Sequence, residues 1–187
     1  DLKSVKIVLS GVGAAGNAIA RLLTLDGATN IIGFNIDGVV HNELQSKDAM
    51  HQWFIEHSNP HNFKGSISEA MAGADIFIGV SAPNVLTEAD VASMAKGAIV
   101  FALANPDPEI DPVIARKYAT VVATGRSDQP NQINNVLAFP GIFRGLLDAN
   151  ANKISDQMLL AAAAAISDCV SPEQLNTSFI VPSVFDP

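Results

Sequence analysis

Between residues 5 and 25 a short apolar run, Val5 to Leu9, leads into Gly11-Val12-Gly13-Ala14-Ala15-Gly16, and Ala14 to Leu25 is then apolar at helical spacing. Strand, glycine turn, helix is the opening of a βαβ unit, and it constrains the chain more than any other feature. Asn30 to Phe34 is a second apolar run, reached through the helix stop Asp26-Gly27-Ala28, and it closes the unit.

The same alternation recurs downstream. Gly38 to Lys64 holds all four histidines and the only Trp, and reads as a loop with a helix near Lys47 to His57. After it the pattern predicts a helix over Ile67 to Ala72, a strand over Ala74 to Val80, a helix over Thr87 to Ala95 and a strand over Ala98 to Leu103. A helix over Ile110 to Tyr118 and a strand over Thr120 to Ala123 follow, and from Asn134 the sequence turns helical through Leu147 and again from Ser155 to Cys169. Ser155 supplies an N-cap there, with acidic Asp156 behind it. Continuously apolar strands separated by helices are what a parallel sheet covered on both faces requires. The expected fold class is therefore α/β, a Rossmann-like doubly wound, mainly parallel sheet with helices on both faces.

At 187 residues and 48% hydrophobic content the chain is expected to form one compact domain spanning 1–187, with no repeat, linker or second domain. Neither an initiator Met nor an export signal opens it, and a strand begins by residue 5, so a fragment of a longer protein is expected. A formal charge of −8, with no stripe among the 11 basic residues, argues against a nucleic-acid partner. The longest uninterrupted apolar run, Met158 to Ile166, has nine residues, far below the ~20 that span a bilayer, so no membrane partner is expected. A single cysteine, Cys169, cannot form an intrachain disulfide; a reducing, cytoplasmic setting and a packing role for the thiol are expected.

In a Rossmann unit the first glycine permits the turn, the second admits the pyrophosphate to the backbone, and the third lets helix pack on strand. Gly11, Gly13 and Gly16 occupy those places, with Ala14 and Ala15 at the helix N-terminus. A glycine-rich turn can also be a plain connection, but a strand before it and a helix after it favour nucleotide binding. The ribose acid of such units lies about 20 residues past the motif; Asn35 is 19 and Asp37 is 21 residues past Gly16. Asp37 can accept hydrogen bonds from a ribose diol as a carboxylate and Asn35 only as an amide, while Asn35-Ile36-Asp37-Gly38 could equally be a simple turn. No Arg or Lys lies between Gly33 and Glu43, so NAD is expected over NADP.

Ligands of open α/β sheets sit outside the carboxyl ends of the strands. Two later strand ends, Gly79-Val80-Ser81-Ala82-Pro83 and Leu103-Ala104-Asn105-Pro106, are therefore candidate walls of the same crevice. Asn105 could bind something there or cap a turn.

Three segments extend these motifs: Ala74 to Pro83, Phe101-Ala102-Leu103-Ala104-Asn105-Pro106-Asp107-Pro108-Glu109-Ile110, and Ala123-Thr124-Gly125-Arg126-Ser127-Asp128-Gln129-Pro130-Asn131-Gln132 running on through Asn134, Asn135 and Gly145. They resemble the NAD-binding domain of bacterial-type malic enzymes, as does the ending Ile180 to Asp186, and the similarity is weakest between Val40 and Gly65. The resemblance implies oxidative decarboxylation of L-malate to pyruvate and carbon dioxide with reduction of NAD or NADP, a divalent metal (Mg2+ or Mn2+) in the full-length enzyme, and a homo-oligomer. Asn105 and Asn135 match asparagines that touch malate in the family, and Asn134 one beside the nicotinamide. An N-cap pair ahead of Val136-Leu137-Ala138-Phe139 is the structural alternative for Asn134 and Asn135. One departure is Asn35, where many members carry Asp.

The family's catalytic Tyr and Lys and its metal-binding carboxylates lie upstream of the glycine turn, outside this chain. Nothing here replaces them: Tyr118 is expected to be a buried packing residue, His51, His57 and His61 to be solvated loop side chains, and Arg126 with Asp128 to brace a loop. The chain is thus expected to bind the cofactor without catalysing turnover. A non-catalytic NAD-responsive module and a different Rossmann dehydrogenase are the competing readings. Separation from a partner domain would expose apolar side chains, with Phe139, Ile142 and Phe143 as candidates.

Overall fold

The computed structural model describes residues 1–185; Asp186 of the ending motif and the end of the expected 1–187 domain lie outside the described residues. In chain order the elements are β1 (Lys6–Ser10), α1 (Ala14–Leu25), β2 (Asn30–Asn35), β3 (Gly38–Val39), α2 (Ala49–His57), α3 (Ile67–Met71) and β4 (Ile76–Gly79). They continue with α4 (Glu88–Ala92), β5 (Ile99–Ala102), α5 (Pro112–Ala115), β6 (Val121–Thr124), α6 (Phe139–Asp148) and α7 (Asp156–Asp168). The strands form one sheet in the order β3-β2-β1-β4-β5-β6. Every pairing is parallel except β2 with the two-residue β3.

Strand periodicity sorts the core into two layers. The register aligns Ile32, Val8, Phe77, Val100 and Val122 as one row across five strands, and all five pack with Ala70, Met71, Val91 and Ala115 from α3, α4 and α5. One residue further along, Leu9 and Ile78 point the other way and pack with Ala20 of α1 and Phe54 and Ile55 of α2. Both faces are therefore apolar and covered, as the continuous hydrophobicity of the strands required. Each fully buried Val, Leu, Ile or Phe contributes on the order of 1.5–3 kcal/mol relative to exposure.

Gly33 belongs to the second layer by register, paired with Leu9. Its missing side chain is the space that the Phe54 ring fills, which seats α2 on the sheet.

The expected strands are all present, while β3 had no signal of its own. Two helices are shorter than their apolar spacing suggests. In α5, Asp111 caps Val113 N and Pro112 stands in the first turn, so the preceding Glu109 and Ile110 are buried loop residues rather than helix. In α4, Thr87 and Asp90 form a capping box. Two side-chain expectations are overturned. Tyr118 is 45% exposed, not buried, because the helix ends before it and its hydroxyl donates to Glu88 Oε1 at 2.9 Å. Cys169 is exposed at the end of α7 rather than packed.

Candidate functional site

Five parallel strands place their carboxyl ends, Ser10, Asn35, Gly79, Ala102 and Thr124, along one edge. The strand order reverses between β1 and β4, the place where α/β sheets open a crevice. Val80 N donates to Ser10 O at 2.9 Å, and the Ser10 and Ser81 hydroxyls meet at 2.8 Å. Above them lies a cavity of about 550 Å³ whose lining includes Ser10, Gly11, Asn35, Ile36, Ser81 and Ala82.

The three glycines have separable reasons. Gly11 adopts φ +101°, and a Cβ there would stand 2.6 Å from Val80 O. At Gly16 a Cβ would run into the Gly11 carbonyl, so the helix can pack this close only without one. At Gly13 no described residue beyond its chain neighbours comes within 4 Å of the Cβ position, so the chain's own packing makes no demand for glycine. Gly13, Ala14 and Ala15 are exposed, and α1 starts with no side-chain cap and no acid in its first turn. Its first N–H groups and the positive end of its dipole are thus open to an anion.

Asn35 and Gly38 pair across a tight hairpin whose loop is Ile36-Asp37. Asn35 Oδ1 accepts from Asp37 N at 2.8 Å, so this segment is a turn and also one wall of the crevice. The Asp37 side chain is exposed.

The opposite wall is held by a residue the sequence reading passed over. Glu109 is fully buried; its Oε1 accepts from Ser81 N at 2.9 Å and Ser81 Oγ at 3.3 Å, and its Oε2 from Ala104 N at 3.1 Å. Gly79 leaves the room its carboxyl group occupies. The signal was an acid flanked by Pro108 and Ile110 just after a strand, with a glycine in the neighbouring strand.

Asn105 is exposed beyond β5, preceding a cis peptide bond to Pro106. Its Oδ1 lies 3.2 Å from where a Gly125 Cβ would stand, so it sits beside the end of β6. The chain after β6 returns to that strand, with Ile133 N donating to Thr124 O at 2.8 Å. Asn134 then caps the 3-10 turn Asn135–Leu137 through its own side chain and Val136 N. Only Asn134 of the pair caps; Asn135 is exposed and, with Phe139, Ile142, Phe143 and Ile154, lines an apolar hollow of about 340 Å³ at the foot of α6. The structure thus gathers Gly11, Asn35, Ser81 and Ala82 in one crevice, and sets Asn105 and Asn135 further along the same edge.

Asn131 is a second residue the motifs concealed. Buried at φ +57°, its amide donates to Val122 O at 3.1 Å and Thr177 O at 2.8 Å and accepts from Ile180 N at 3.0 Å, tying the tail to β6. α6 buries no residue, and Phe139 and Phe143, 62% and 47% exposed, pack on each other with Ile142 half-buried beside them. Arg126 and Asp128 form the expected loop brace, a two-pronged pair at 2.8 and 2.6 Å; the Arg126 hydrogen bonds hold the Asp128 carboxyl at about 2. His51 and His57 lie on α2 instead of in a loop, and His57 stacks on Trp53. Among the described residues no three His, Cys, Asp or Glu side chains could hold a metal ion, and no helix is long and apolar enough to cross a membrane.

The sequence profile described as "Malic enzyme, NAD binding domain" matches residues 1–186. An NAD-dependent malic enzyme of Geobacillus stearothermophilus is 52% identical over 99% of this chain and 39% of its own length. An NADP-dependent malic enzyme of Halomonas elongata is 42% identical over 90% of this chain and 40% of its own. The crystal structure of an NAD-dependent malic enzyme from Thermotoga maritima superposes with a TM-score of 0.91 at 40% identity, over all of this chain and 49% of that one. The chain spans about half or less of the length of these relatives. A Rossmann-like sheet with a glycine turn at its switch point, matched from end to end by that profile, places the chain in the malic enzyme family as its NAD-binding domain.

Proposed function

We propose that this chain is the cofactor-binding domain of a longer malic enzyme that converts L-malate to pyruvate and carbon dioxide, and that alone it binds the dinucleotide without turning malate over. The observation that carries the proposal is Gly13: a glycine that packing does not require, exposed as the N-cap of a helix that has no side-chain cap.

In this reading the N–H groups of Gly13, Ala14, Ala15 and Gly16 hold the pyrophosphate. Asn35 and Asp37 stand at the adenosine ribose, and Ser81 and Ala82 wall the nicotinamide half. When bound, NAD supplies the acceptor for the hydride leaving malate. Asn105 and Asn135 orient malate through amide donors that add no charge beside its carboxylates, and Asn134 abuts the nicotinamide while capping its own turn. In this reading the binding of the divalent metal and the proton transfers belong to the rest of the enzyme. NAD is favoured over NADP because Asp37 is present and no Arg or Lys lies between Gly33 and Glu43. Cytoplasmic residence and a homo-oligomeric full-length enzyme complete the proposal.

Calorimetric titration with NAD and NADP tests it. NAD should bind with a Kd below about 1 mM, and Gly13→Val, whose Cβ meets no neighbouring element, should lose at least ~tenfold in affinity while costing only about 1 kcal/mol in stability from the poorer N-cap. Equal NAD binding by Gly13→Val and the parent chain would overturn the assignment.

A further inference from the structure

We propose that Glu109 is a positioning residue that locks the ends of β4 and β5 together and thereby sets the half of the crevice that takes the second mononucleotide. The inference rests on the dinucleotide reading above and deepens it.

A fully buried acid is stable only where its oxygens are paired. Among the described residues Glu109 forms no ion pair; its partners are two backbone N–H groups and a hydroxyl, divided between two loops. One oxygen serves Ser81, just past β4, and the other serves Ala104, just past β5. The same loops are joined by Leu86 N to Glu109 O at 3.0 Å and Asn84 N to Pro108 O at 3.2 Å. Because N–H groups cannot accept, each Glu109 oxygen must. If the Ser81 hydroxyl spends its proton on Glu109, the Ser10 hydroxyl donates to Ser81, and the network crosses the switch point from β5 to β1.

A doubly wound sheet binds one mononucleotide over each half. The hairpin with Asn35 and Asp37 belongs to the β1–β3 half, whereas Ser81, Ala82 and Asn105 belong to the β4–β6 half. Glu109 is sealed from solvent, so it acts through Ser81 and Ala104, whose next residues, Ala82 and Asn105, are exposed on the edge.

Glu109→Gln keeps the shape of the side chain but replaces one acceptor by an NH2 group. Whichever way the amide turns, a donor faces Ser81 N or Ala104 N. NAD affinity should therefore fall about tenfold or more while AMP, which fills only the first half, binds within about twofold of the parent chain. Equal weakening of both ligands would mark Glu109 as a general stability residue, and unchanged NAD binding would overturn the proposal outright. A ligand-free readout separates this from failure of the dinucleotide reading. Hydrogen exchange of the Ser81 and Ala104 amides should accelerate at least about tenfold in Glu109→Gln with the Ile7 and Val8 amides unchanged. If the parent chain binds neither nucleotide, the dinucleotide reading fails, and uniform acceleration or none would sink the Glu109 lock as well.

Discussion

Phe54 and Gly33 offer a quantitative test of how α2 is seated. Phe54 is fully buried, and a Cβ at Gly33 would stand 2.5 Å from its Cε1 and 2.7 Å from Val12 Cγ2. Phe54→Ala should cost about 3–5 kcal/mol, from lost transfer free energy and the hole left behind. Gly33→Ala alone should cost about 1–3 kcal/mol, because the methyl group must displace the ring. The Gly33 backbone is not left-handed, so the collision is the whole objection to a side chain there. With the ring gone, the methyl group enters the vacated space, Val12 alone must turn, and alanine suits a strand better than glycine by roughly 0.5–1 kcal/mol. The double variant should therefore be about as stable as Phe54→Ala, with a coupling energy of about 1–3 kcal/mol. Urea unfolding followed by far-ultraviolet circular dichroism, with slopes compared among the four proteins, measures this. Additivity within about 0.5 kcal/mol would refute the seating of Phe54 over Gly33.

Asn131→Ala loses three hydrogen bonds of about 1 kcal/mol each and puts alanine at φ +57°, for a total of about 3–5 kcal/mol in the same assay. Asn131→Gly should recover roughly 1 kcal/mol of that, and a loss below about 1 kcal/mol in Asn131→Ala would contradict the clasp. At Asp90 burial raises the pKa, but hydrogen bonds from Ser68 and Thr87 outweigh it and the net shift is downward. A lowered folded value makes the contribution complete above the unfolded pKa of about 3.9 and lost as pH falls through the folded value. The stability gap between the parent chain and Asp90→Asn should thus be flat from about pH 7 to 5 and narrow below about pH 4; a gap that widens on acidification would contradict this sign. Asn35→Asp should favour NAD over NADP by a further several-fold, since a carboxylate at the end of β2 accepts from a ribose diol and repels a 2′-phosphate. An unchanged ratio in calorimetry would move the ribose contact to Asp37.

The sheet was legible in the sequence because burial on both faces makes each strand a continuous apolar run, as Ile7-Val8-Leu9 and Phe77-Ile78 show. The glycine turn was equally legible, since its reasons are local: a positive φ at Gly11 and a close approach at Gly16. Glu109 and Asn131 were not, because their partners lie up to 28 and 49 residues away, and nothing in local spacing tells a buried acceptor from a solvated acid. Within the segment from Gly38 to Lys64 the helix near Lys47 to His57 was legible and is α2, but its seat was not, because Phe54 packs on a glycine of another element, which periodicity does not register. Tyr118 was misjudged because apolar spacing continued past the point where α5 ends.

A sheet apolar on both faces is also vulnerable at its margins, where unpaired backbone groups invite strands from other chains. On one margin β3 is only two residues long and antiparallel. On the other, Asn131 occupies the Val122 carbonyl and Ile133 N that of Thr124, so β6 presents a plugged rim to its surroundings. The contact that holds the tail in place should thereby guard against intermolecular strand addition, and its loss should appear in light scattering as self-association at temperatures where the fold itself still holds.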